Sequence, residues 1–96
     1  MIDPRLKTIY EHYGWRNQLG KLKEECLELI EAVETFEKEP LNAMTWPHVE
    51  EEMADVLNVI DQFQLRGFAR MRIDEIREMK LERQLARIAK EKEGVA

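Results

Sequence analysis

Four carboxylates are the residues best suited to chemistry in this sequence. Glu25 and Glu28 lie in LKEECLELIEAVETF, residues 22–36, and Glu52 and Asp55 in VEEEMADVLNVIDQF, residues 49–63. The two stretches are written in nearly the same words. A slide of 27 positions lays Leu22 on Val49, Glu24 on Glu51, Glu25 on Glu52, Cys26 on Met53, Glu28 on Asp55, Val33 on Ile60 and Phe36 on Phe63. A helix turns about 100° per residue, so Leu22, Cys26, Leu29, Val33 and Phe36 fall within roughly 40° of one direction. Glu25 and Glu28 then flank that stripe at about 60° and 120° on one side, and Glu52 and Asp55 take the same angles beside Val49, Met53, Val56, Ile60 and Phe63. Two carboxylate pairs bordering two packing faces are expected to converge on a divalent metal.

Charged flanks beside a core stripe are common, and a lone ExxE in an acidic helix means little. The matched pair carries more weight. Four carboxylates brought into a half-buried seam repel one another unless cations neutralise them. An all-oxygen donor set favours Mg²⁺, with Mn²⁺ as a substitute. A di-iron bundle would use Glu-x-x-His pairs, and neither His12 nor His48 has that spacing. Hard metal chemistry points to phosphate: metals neutralise a polyphosphate, polarise its phosphorus and activate water.

The elements that position these groups are all helical. Asp3 followed by Pro4 reads as a cap and first residue, giving a short helix over residues 4–13 that Gly14 ends. The second helix is expected over 17–38, with Asn17 as its cap. Pro40 and Asn42 mark the loop at 39–47, and Thr45 or Trp46 is expected to cap a third helix with Pro47 as its first residue. Glu50, Glu51 and Glu52 would then sit in the first turn, where the helix dipole favours acidity. That helix runs to about residue 66, where Gly67 breaks it. A fourth covers 73–92, and the tail from residue 91 frays. Lys80, Arg83 and Arg87 make a basic strip within about 60° on it, suited either to phosphate or to solvated ion pairs. Trp15 and Gln18 are candidates for a nucleobase, by stacking and edge hydrogen bonds; the plainer reading places Trp15 in the core. His48 reads as surface, and Cys26 as a buried thiol.

The chain has 96 residues, 36% of them charged, with a net charge of −5. One domain, residues 1–96, fits that length, with a core small enough for oligomerisation to help. The acidity argues against a nucleic-acid polymer or a membrane surface as partner. No apolar run approaches the ~20 residues of a membrane span, and MIDPRLK is no signal peptide; the expected compartment is cytoplasmic.

EECLE at 24–28 and EEMAD at 51–55 together resemble the EExxE…EExxD signature of the MazG-like all-α nucleoside triphosphate pyrophosphohydrolases, relatives of the dimeric all-α dUTPases. YGWRNQLGKLKEE and DVLNVIDQF extend the likeness over residues 13–63. The resemblance implies an all-α helical bundle, a short helix plus three longer ones, completed as a homodimer or homotetramer. It implies hydrolysis of a (d)NTP to the monophosphate and pyrophosphate, with Mg²⁺ on Glu25, Glu28, Glu52 and Asp55. Glu28 is the expected catalytic base, Lys80 and Arg83 the phosphate ligands, and Trp15 and Gln18 the base contacts. The competing expectation is a non-catalytic helical oligomer that binds a protein or a nucleotide.

Overall fold

A computed structural model describes residues 3–65 and 67–94. It shows four helices and no strand among the described residues: α1 (Pro4–Tyr13), α2 (Trp15–Lys38), α3 (Thr45–Phe63) and α4 (Gly67–Gly94). The chain divides into two compact units, Met1–Leu65 and Arg66–Ala96. No helix among the described residues is long and apolar enough to cross a membrane.

Within the first unit, α2 and α3 form an antiparallel hairpin. The start of α2 meets the end of α3 through Gln18 and Gln62, and its end meets the start of α3 through Phe36 and Trp46, whose rings lie 5.2 Å apart. α1 packs across the open end, with the Tyr10 ring edge-on to Phe63 at 5.7 Å. The 27-residue repeat proves to be structural. Gln18, Glu25 and Ala32 are buried on α2, and their counterparts Thr45, Glu52 and Val59 are buried on α3. Each triplet is spaced by seven, the period that keeps one helix face on its neighbour over several turns.

This moves the packing face from where the sequence put it. Ile30 is 52% exposed, Val33 37%, and Cys26 is half-buried, whereas Glu25 and Glu52 lie inside the seam rather than beside it. The shift is about 60° around the helix, from the bulky apolar stripe toward the carboxylates.

The helix ends hold two clear readings and several corrections. Asp3 caps α1, its Oδ1 accepting from the Arg5 amide at 3.0 Å. Gly14 ends α1 with φ 83° and ψ 157° and passes directly into α2. Asn17 is therefore inside α2, not its cap, and its amide donates to the Tyr13 carbonyl at 2.7 Å. Gly14 occupies backbone space that side-chain-bearing residues avoid, so Gly14→Ala is expected to cost about 1–3 kcal/mol in a denaturant melt although open space surrounds the site. α3 begins at Thr45, with Met44 at the cap position. The Thr45 hydroxyl instead ties the loop, donating to the carbonyls of Glu39 (3.0 Å) and Asn42 (2.9 Å). Glu50 to Glu52 consequently lie beyond the first turn, and the helix dipole does not account for them. Gly67 begins α4 rather than only ending α3, and α4 starts six residues earlier than expected and continues to Gly94.

The second unit is α4 alone. Its described side chains from Arg72 onward are exposed apart from Ile73, which is half-buried, and Lys80, Arg83 and Arg87 stand in solvent.

Candidate metal centre

The hairpin seam brings together Glu25 from α2 with Glu52 and Asp55 from α3. One carboxylate oxygen from each lies within 4.8 Å of the others. Glu25 is 5% exposed and Glu52 8%, while Asp55 is open to solvent. The second oxygens of the two buried groups, Oε2 of Glu25 and Oε2 of Glu52, are enclosed without a hydrogen-bond partner. Buried carboxylates ordinarily accept two or more hydrogen bonds, and leaving them unmade is costly. Three carboxylates, two of them each carrying an orphaned oxygen, fit a hard divalent cation. The acidic triad Glu25, Glu52 and Asp55 can hold a metal ion.

Glu28, the fourth expected ligand, is half-buried beside this group. The Glu25 carboxylate holds its pKa above the ordinary 4.5, with partial burial and the charges of Glu52 and Glu24 adding to the effect. Ionised Glu28 thus opposes folding when no cation is present. Because the folded-state pKa is raised, the folded protein binds the extra proton, and stability falls as pH rises through the window at and above 4.5. In EDTA the melting temperature is expected to climb as pH is lowered from 7 to about 5, and Glu28→Gln to flatten that climb. Asp3 does not interfere, because its pKa is held down to about 2 by Arg5 and its contribution is lost only as pH falls below 3.8.

Each buried glutamate has a basic side chain four residues before it, Lys21 before Glu25 and His48 before Glu52. Lys21 Nζ lies 2.9 Å from Glu25 Oε1 and 3.9 Å from Glu24 Oε2, and Glu25 and Glu24 together raise the Lys21 pKa. His48, the 27-residue counterpart of Lys21, lies 3.9 Å from Glu52 Oε1 and 3.6 Å from Glu51 Oε2. His48 stands at the surface as its sequence position suggests, but sequence reading gave neither His48 nor Lys21 this pairing with a buried glutamate. The repeat was the available signal, since it lays one on the other.

A cavity of about 490 Å³ is lined by Glu25 and Asp55 of the triad together with Lys21, Asn58, Tyr13 and Gln18. Gln18 lines it but is not free: its amide donates to Gln62 Oε1 at 2.8 Å in the buried seam. A smaller cavity of about 390 Å³ is lined by Thr45, Pro47, His48 and Glu51, the repeat counterparts of Gln18, Gly20, Lys21 and Glu24 in the first. Trp15 is not among the lining residues. It is half exposed, with the Arg16 guanidinium 5.3 Å from its ring centre, and is not the core residue of the plainer reading. Lys80 and Arg83 belong to the other unit.

What the described residues define is an all-helical protein whose helical hairpin brings together three carboxylates that could hold a metal ion. No protein-family model matches the chain, and no curated protein or solved structure matches it either.

Proposed function

We propose that this protein is a metal-dependent nucleoside triphosphate pyrophosphohydrolase of the MazG-like kind, converting a (d)NTP to the monophosphate and pyrophosphate. One observation carries the reading. Three carboxylates, two of them buried with an unpartnered oxygen, come together, and two of the three, Glu25 and Asp55, line a cavity of nucleotide size. The EExxE…EExxD resemblance supplies the reaction class.

Glu25, Glu52 and Asp55 would hold Mg²⁺ or Mn²⁺, with Glu28 at their border. When bound, such an ion neutralises triphosphate charge and acidifies water at neutral pH. Glu28 is the group that takes the proton of the attacking water. Its neighbours already bias it toward the protonated form, which suits a base that must hold a proton during the reaction. Gln18 and Gln62 present a fixed amide edge to the cavity, a surface suited to hydrogen bonding a base. The assignment of Lys80 and Arg83 to phosphate, and of Trp15 to the base, rests on the resemblance alone. A cytoplasmic location would suit a nucleotide substrate, and the exposed apolar residues of α2 and α3 support a homo-oligomer, a dimer or a tetramer.

The test is a pyrophosphate-release assay over a panel of NTPs and dNTPs with Mg²⁺, Mn²⁺ or EDTA, with products separated by chromatography. Conversion of a triphosphate to its monophosphate, blocked by EDTA, is the expected result. No turnover across the panel, with no thermal stabilisation by Mg²⁺ plus nucleotide, would replace this reading with a non-catalytic binding module.

A further inference from the structure

We propose that Lys21 is a phosphate-holding cation that exchanges partners: it neutralises Glu25 in the metal-free protein and turns to a phosphate of the nucleotide once a divalent ion takes that carboxylate. The inference rests on the proposed function and adds a residue that the family resemblance does not assign.

The argument begins with Glu25. Its Oε1 accepts from Lys21 at 2.9 Å, and its Oε2 has no partner. The ion pair gives the helix little, because lysine four residues before glutamate is the weaker order for helix stabilisation. It matters to Glu25 instead, which is 5% exposed and has Glu28 and Glu52 nearby. A divalent cation on Glu25 changes that balance. Two cations at one carboxylate repel, and their repulsion is strong where water is scarce. The lysine is the mobile partner. Its side chain is 47% exposed on a flexible four-carbon stem.

Where it goes is limited by the cavity. Lys21 is the only cationic side chain among the described residues that line it. Arg16, close by in sequence, lies over the Trp15 ring. A triphosphate in this cavity would therefore meet the carboxylates of Glu24, Glu25 and Asp55 and a single ammonium, which has three donors and is compact enough to follow a phosphate oxygen. The repeat sharpens the choice between the two cavities. The counterpart cavity has His48 where this one has Lys21, and His48 stands a full ångström further from its glutamate. The first cavity is the phosphate side.

Calorimetry on the intact chain tests this without turnover. Mn²⁺ binding is measured first, and then binding of inorganic tripolyphosphate at saturating Mn²⁺, for wild type, Lys21→Met and Lys21→Arg. Lys21→Met is expected to tighten Mn²⁺ about two- to fivefold, because a competitor is gone. It is expected to weaken tripolyphosphate about tenfold, because a charge-assisted contact is gone. Lys21→Arg should stay near wild type on both. Opposite signs are the signature, since a merely structural lysine would weaken both together or neither. Either of those outcomes, with wild type taking up Mn²⁺ normally, overturns the role of Lys21 alone. Wild type taking up no Mn²⁺ overturns the metal centre, and the exchange with it.

Discussion

Glu52→Gln is expected to make the metal-free protein more stable while removing its response to Mg²⁺ and its turnover. The substitution keeps the shape of the side chain and deletes its charge. Glu52 is 8% exposed, one of its oxygens has no partner, and the basic group paired with it is the His48 ring, at 3.9 Å. Carboxylate oxygens of Glu25 and Asp55 lie within 4.8 Å. Burying a charge without close compensation costs several kcal/mol even after relaxation. A glutamine amide replaces that repulsion with a donor facing two carboxylates. A gain of about 1–2 kcal/mol is expected, which for a chain of this size is about 4–16 °C in melting temperature. Turnover should fall about a thousandfold, the equivalent of several kcal/mol of lost transition-state stabilisation. Thermal melts in EDTA and in Mg²⁺, together with the pyrophosphate assay, measure both effects. A variant that melts below wild type in EDTA would mean that Glu52 has a partner it needs. One that turns over near the wild-type rate would remove Glu52 from the site.

The behaviour of Glu52 also explains how much of this site was legible beforehand. Identity and pairing were readable, because the repeat wrote the same carboxylate spacing twice. The depth of burial was not. Hydrophobic periodicity marks the bulkiest stripe, and here Leu22, Cys26, Leu29 and Val33 span two surfaces, one against the neighbouring helix and one open. The face that is buried carries Gln18, Glu25 and Ala32, two polar residues and a small one, which no apolar pattern selects. The Gln18–Gln62 bond joins residues 44 apart and has no local signature. Helix ends divided along the same line. Asp3 and Pro4 act within one turn, so α1 was readable to its limits. The start of α2 was missed because backbone geometry at Gly14 sets it rather than a capping side chain. Gly67 reads as a stop because glycine is the common residue just past a helix end, yet glycine is also tolerated at a helix start.

The open surface leads to the other large expected effect: Ile30→Glu combined with Leu57→Glu should convert a dimer into a monomer. Ile30 and Leu57 are repeat counterparts, and each lies about 140° around its helix from the buried glutamate. They are 52% and 59% exposed, with Met53 and Val33 beside them at 42% and 37%. Against this stand only Ala32, Val49 and Val59 as buried apolar residues among those described. A core that thin leaves a small unit marginal, and covering the open face with the same face of a second copy would supply the missing burial. Completing the burial of half-exposed Ile or Leu contributes about 1 kcal/mol per side chain. A symmetric dimer counts each of the two positions twice, so the double variant forfeits about 4 kcal/mol, roughly a thousandfold in dissociation constant, before any cost of burying the new charges. Light scattering on wild type should give twice the chain mass, and on the variant the chain mass with a lower melting temperature. Wild type running as a monomer at every concentration would sink the dimer. If the dimer survives the double substitution, its interface lies elsewhere and the apolar face requires another occupant.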